Sequence, residues 1–235
     1  MTGSPLILEP LFMLGPVPIS SPVVVTWAIM ALLAALAGVL RRRLAIVPGK
    51  VQTVLEVLVA ALDAQIGDIV RGDPAPYRGL IGTIFVYVLI ANWSSLVPGV
   101  EPPTAHIETD AALALVVFCA TIAFGIRMRG LGGYLKTFAE PSWVMIPLNV
   151  VEQITRTFSL VMRLFGNVMS GVFVIGIVLS LAGLLVPIPL MALELLTGAV
   201  QAYIFAVLAT VFIGAAVGEQ ARTHADTQGR EPETS

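Results

Sequence analysis

Residues 147–185 read PLNVVEQITRTFSLVMRLFGNVMSGVFVIGIVLSLAGLL. After Pro147 the run contains no proline until Pro187 and Pro189, which break the pattern. Taken at about 100° per residue, its polar members line up. Glu152, Arg156, Ser159, Arg163, Asn167 and Ser170 follow one another at spacings of 4, 3, 4, 4 and 3. They form one narrow stripe on an apolar cylinder, with Leu160, Val161, Leu164, Phe165 and Val168 covering much of the rest. The spacing predicts a single long helix. About 38 helical residues would extend roughly 57 Å, nearly twice a hydrocarbon core of about 30 Å, so such a helix must tilt, kink or protrude. Arg163 falls mid-run, where an arginine costs about 2.5–3.5 kcal/mol on insertion scales. It requires an anionic partner or a wet cavity.

Working outward, a last helix is expected over about Leu190–Val217. Glu194, Thr197 and Gln201, spaced 3 and 4, lie on one side of it, with Tyr203 further round. Glu194 is either a proton carrier or the salt-bridge partner of Arg163; spacing leaves both open. Upstream, Val23–Leu40, Leu80–Pro98 and Ala111–Ile126 are long and apolar enough to cross a bilayer. Between the first two, Val51, Leu55, Leu58, Val59, Leu62, Ile66 and Ile69–Val70 recur at helical spacing opposite Gln52, Glu56, Asp63 and Gln65. That pattern predicts an amphipathic helix, on the membrane surface or packed on the bundle. Residues 129–142, with Gly130, Gly132, Gly133 and Pro141, are expected to be a loop.

The fold class is therefore an all-α integral membrane protein. About five crossings and one amphipathic surface helix form a single membrane domain over residues 1–235, and the last two crossings form a long tilted hairpin. Residues 1–22 are an outer segment kept out of regular helix by five prolines, 23–217 the helical bundle and 218–235 a polar, disordered tail. Composition agrees. The 235 residues are 57% hydrophobic and 12% charged, with a mean hydropathy of +0.92. Soluble domains carry about twice that charge. A net charge of −2 supplies no basic field for nucleic acid. One cysteine excludes a disulfide framework and a cysteine metal cluster within the chain.

Charge placement sets the expected orientation. Apart from Arg163, every Lys and Arg falls on one side of this scheme or at its interface, and the segments 1–22, 99–110 and 186–189 contain none. The positive-inside rule then puts the N-terminus outside and the C-terminus in the cytoplasm. Trp27, Trp93 and Trp143 fall near span ends, where aromatic belts form. The chain has no internal repeat, which argues against inverted-repeat transporters.

Other motifs carry less. His106, Glu108 and Asp110 are too few ligands for a metal site and are expected in a solvated outer loop, or lining an ion entrance. Arg129–Gly133 (RGLGG) lacks the Gly-Lys-Ser/Thr of a phosphate loop, so no nucleotide site is expected in the chain. Asn92-Trp93-Ser94 matches a glycosylation acceptor only formally, at a span end. Cys119 is expected as a small buried apolar residue, and His224 belongs to the tail. No Ser–His or paired-aspartate set lies at membrane depth, which leaves an intramembrane hydrolase without support. No metal or cofactor is expected.

Arg163-Leu164-Phe165-Gly166-Asn167, followed one helix later by Gln201-Ala202-Tyr203-Ile204-Phe205, resembles subunit a of the F-type ATP synthases. The likeness covers most of the chain, including Arg41–Arg43, the segment NWSSLVP at 92–98 and the two terminal helices. The resemblance implies a non-catalytic stator subunit whose two tilted helices face a ring of c subunits. It implies that Arg163 faces the ring carboxylates and separates two aqueous half-channels. Asn167 would be the polar residue one turn on, Gln201 the glutamine facing it, and Glu194 a relay position held by His or Glu. Glu152, Arg156, Ser159, Ser170, Thr197 and Tyr203 would be supporting polar groups. Val172 departs from the pattern, since many members carry an ionisable partner there. The implied partners are the c ring, b-type peripheral stalk subunits, the F1 sector indirectly and the lipid of a bacterial-type inner membrane. The competing reading is a stand-alone secondary transporter or channel that uses Arg163 for an anionic substrate.

Overall fold

The computed structural model describes residues 10–14, 17–43, 49–97, 100–139, 145–183 and 186–217. The expected tail 218–235 with His224, and Trp143, lie outside the described residues. Within the N-terminal segment, β1 (Pro10–Leu14) pairs antiparallel with β2 (Val17–Ser20), Leu14 opposite Val17. Prolines are tolerated here because a two-stranded sheet is all edge. Six helices follow: α1 (Ser21–Arg43), α2 (Lys50–Val70), α3 (Ala75–Trp93), α4 (Ile107–Ala139), α5 (Met145–Ala182) and α6 (Pro187–Val217). Five of them, all but α2, are long and apolar enough to cross a membrane.

Several boundaries differ from expectation for one reason. Proline blocks the interior of a helix but fits its first turn, where the missing N–H has no partner to lose. Pro22 therefore lies inside α1, Pro147 inside the first turn of α5, and Pro187 and Pro189 open α6 instead of separating it from what precedes. The glycine-rich stretch after Arg129 is helical up to Ala139, after a kink at Gly130, whose φ of 71° suits a residue without a Cβ. Helix α2 ends at Arg71 in a left-handed conformation, its N–H donating to the Gly67 carbonyl.

Helix α6 is the centre of the bundle and packs against α2, α3, α4 and α5. Its sequence explains why. Gly198, Ala202, Ala206, Thr210 and Gly214 recur at every fourth position, and all five are buried. Such a stripe of small residues lets backbones approach closely where lipid supplies no hydrophobic drive between helices. At Gly198 a Cβ would meet Asn92 Cβ at 3.1 Å, and at Gly214 it would meet Ile69 at 3.5 Å. Helix α2 packs through Leu62 and Ile66, while Val54, Val57 and Val59 stay exposed, so it is bundle-packed at one end only. On α4 the face bearing Leu115, Val116 and Cys119 points outward, and Cys119 is exposed. The expectation of a buried cysteine fails because burial on a membrane helix follows helix packing, and this face has no neighbour in the chain.

Candidate functional site: the α5–α6 hairpin

Helices α5 and α6 pack antiparallel, with Gly171 against Glu194 at one end and Arg156 against Phe212 at the other. The predicted stripe lies along α5 on the side turned away from the core. Leu160, Val161, Leu164 and Val168 are buried against the bundle, while Glu152, Ser159, Arg163 and Ser170 are exposed and Arg156 and Asn167 half-buried. A cavity of about 670 Å³ opens along its first half, lined by Glu152, Thr155, Arg156, Ser159 and Arg163 from α5 and by Leu208 and Phe212 from α6.

Two arginines share this cavity in different states. Arg156 is held: it forms an ion pair with Glu152 one turn earlier, and its guanidinium stands 5.7 Å from the Phe212 ring centroid. Arg163 makes no ion pair among the described residues. Glu194 sits at the level of Gly171, eight residues beyond Arg163 and hence about 12 Å further along the helix. Of the two roles open to Glu194 in the sequence, salt-bridge partner of Arg163 is not the one adopted.

Gly171 makes the seat for that carboxyl. A Cβ there would stand 2.7 Å from Glu194 Oε1, so only a residue without a side chain leaves the carboxyl its place. Oε1 is buried and has no hydrogen-bond partner among the described residues. The Ser95 side chain is within interacting range of the carboxyl. Gln201 is 6% exposed, and its Nε2 also lacks a partner among the described residues. Val172 packs against the apolar core, which the uncharged side chain permits.

Other predicted residues are occupied locally. The Ser170 hydroxyl donates to the Asn167 carbonyl at 2.9 Å, and Thr197 donates to the Glu194 carbonyl at 3.1 Å. Tyr203 turns the other way, its hydroxyl donating to Gln65 Oε1 of α2 at 2.8 Å. It braces α2 on α6 and is not brought to the stripe.

The structure also adds residues. Asn92 Nδ2 donates to the Gly198 carbonyl at 3.0 Å, and Trp93 Nε1 donates to the Leu195 carbonyl at 3.1 Å. The end of α3 thus grips α6 between Glu194 and Gln201. A polar amide closing an otherwise apolar span was the available signal. Asp110, expected in a solvated loop, is fully buried in the first turn of α4. The turn Pro103–Ala105 before it packs into the bundle and carries it inside.

The sequence that builds this hairpin is matched among known proteins. Residues 23–214 match the family described as ATP synthase A chain. The chain belongs to this family. It is 58% identical to ATP synthase subunit a 2 of Bradyrhizobium sp. (strain BTAi1) over 94% of its length and all of that protein. It is 43% identical to ATP synthase subunit a of Albidiferax ferrireducens over 91% of its length and 89% of the relative. With ATP synthase subunit a 1 of Chlorobaculum parvum the identity is 47%, over 83% of this chain and 87% of the other. Family membership and five apolar helices make it a multi-pass membrane subunit of an ATP synthase, acting in ATP synthesis and ion transport within the CF(0) sector.

Proposed function

We propose that the chain is the ion-translocating stator of its complex, coupling the flow of protons or sodium ions to rotation of a c-subunit ring. One observation carries this reading: Arg163 stands on the open face of α5 without an ion pair among the described residues, in a cavity that Glu152, Arg156 and Ser159 line with it. A guanidinium keeps its charge under physiological conditions. A ring carboxylate arriving ionised is attracted to it, having released its ion on one side, and reloads on the other. The cavity along Glu152, Arg156 and Ser159 serves as one half-channel. Glu194, with Gln201 and Asn167 beside the route, serves the other. Contact must stay transient, since a dry, tight pair would lock the rotor, while each charge moved through 100 mV is worth about 2.3 kcal/mol.

In this reading the N-terminus lies outside a bacterial inner membrane, and the cavity opens to the cytoplasm. A b-type peripheral stalk holds the subunit, and F1 is reached through stalk and rotor. The test uses vesicles holding equal amounts of assembled complex. Arg163→Ala abolishes ion-driven ATP synthesis and ATP-driven pumping. Arg163→Lys also fails substantially, because an ammonium lacks the planar fork and deprotonates more readily when desolvated. Near-normal coupling in the alanine variant would refute the proposal.

A further inference from the structure

Two positive charges line the cavity between α5 and α6, and only Arg163 lacks an ion pair among the described residues. Arg156 and Arg163 are seven residues apart, about 20° short of two full turns, so they share a face about 10 Å apart along the axis. Among the residues lining the cavity, Glu152 is the one carboxylate. It stands one turn before Arg156, the order in which an acid and a base on a helix pair best, and the two form an ion pair. From Arg163 it is eleven residues away, about 16 Å along the helix and out of pairing range. On the other side of the pair, Phe212 of α6 presents its ring to the Arg156 guanidinium, 5.7 Å from the centroid. A ring face holds a cation without neutralising it. Phe212 therefore fixes where the guanidinium stands, and Glu152 cancels its charge. The Arg156 and Glu152 side chains remain 40% and 51% exposed, so water in the cavity reaches the pair.

That arrangement matters for any anion moving along this face. A mobile carboxylate is attracted by each free cation it passes, and each attraction is a well from which it must climb. With Arg156 free, the face would carry two such wells. With Arg156 paired, it carries one, at Arg163. Apolar residues at both positions would also leave one well, but they would dry the cavity and make passage of a charge more costly. An ion pair adds no net charge and keeps the opening wet.

We infer that Glu152 is a masking residue, neutralising Arg156 so that rotor carboxylates engage Arg163 alone on this face of α5. The inference rests on the proposed ion-translocating function. It gives Glu152 and Arg156 a part as positioning residues, which decide where a carboxylate stops without themselves carrying the ion.

The test compares variants in vesicles holding equal amounts of assembled complex. Glu152→Gln bares Arg156 and slows ATP-driven pumping and ion-driven synthesis about tenfold, the rate equivalent of one partly desolvated ion pair broken at each step. Adding Arg156→Gln removes the bared charge, so the double variant runs faster than Glu152→Gln and recovers most of the lost rate. Raising the ionic strength on the cavity side also narrows the gap between Glu152→Gln and the unsubstituted complex, because salt screens charges in a water-filled opening. A pair that only braces the hairpin, or a Glu152 that itself carries the ion, gives a double variant no faster than Glu152→Gln. That result overturns the mask. If Glu152→Gln alone does not assemble, the double variant is compared with Arg156→Gln. The mask requires that losing Glu152 costs less than about twofold once Arg156 is gone, and a loss of about tenfold there overturns it. Retained coupling in Arg163→Ala refutes instead the functional reading on which the mask rests.

Discussion

Adding one methyl group at Gly171 tests whether the Glu194 carboxyl works where it sits. A Cβ at this position would lie 2.7 Å from Glu194 Oε1, 2.8 Å from Cδ and 3.3 Å from Cγ. Non-bonded contacts are comfortable from about 3.5 Å, so the carboxyl must retreat by about 0.8 Å. No hydrogen bond among the described residues holds Oε1 against that movement. Stability therefore falls by only about 1 kcal/mol, the low end of overpacking costs. Transfer between groups is less forgiving, because a misplacement of about 1 Å costs up to about 100-fold in rate. Gly171→Ala should accordingly slow ion-driven ATP synthesis by about tenfold in vesicles with matched amounts of complex. Glu194→Gln slows it as well, and in that background the added methyl has nothing left to displace. The double-mutant cycle then shows strong coupling between the two positions. A wild-type rate in Gly171→Ala, or an undiminished loss in the Glu194→Gln background, would refute the reasoning.

Two further outcomes are expected. Asn92→Ala removes the donor from the Gly198 carbonyl and opens the contact between α3 and α6; a buried acceptor left unpaired costs about 1–3 kcal/mol, so the purified complex melts earlier, and an unchanged melting curve contradicts the brace. For orientation, single cysteines at Glu101 and Ser235 should react with impermeant reagents from opposite faces, outside and inside respectively. That assay needs a Cys119→Ser background because Cys119 is exposed, and labelling of both from one face overturns the five-crossing scheme.

What could be read before the fold was known follows from the solvent. A bilayer enforces helices, so long apolar runs announce crossings, and a polar stripe through such a run stands out against its background. Glu152 to Ser170 were legible for that reason, as was the amphipathic pattern of α2. Asp110 was not. Its burial depends on the Pro103–Ala105 turn entering the bundle, and a turn of three residues has no periodicity to detect. Cys119 failed similarly, since hydrophobicity on a membrane helix does not distinguish a lipid-facing side from a protein-facing one. The role of Gly171 was hidden because its function is to leave space for a residue 23 positions away. Prolines misled at Pro22, Pro187 and Pro189, where position within the helix outweighs residue type.

The open face of α5 also bears on how the complex is built. If α5 faces a rotor, as proposed, a newly inserted copy that still lacks one turns Arg163, Ser159 and Ser170 toward acyl chains or toward water drawn in to meet them. Either arrangement thins or wets the bilayer locally and marks the copy as incomplete. On the proposed reading, biogenesis favours a late arrival, with the chain placed beside a finished ring or held by a chaperone that masks α5 until then. Orphan copies, lacking that cover, present the kind of polar membrane surface that quality-control proteases can grip.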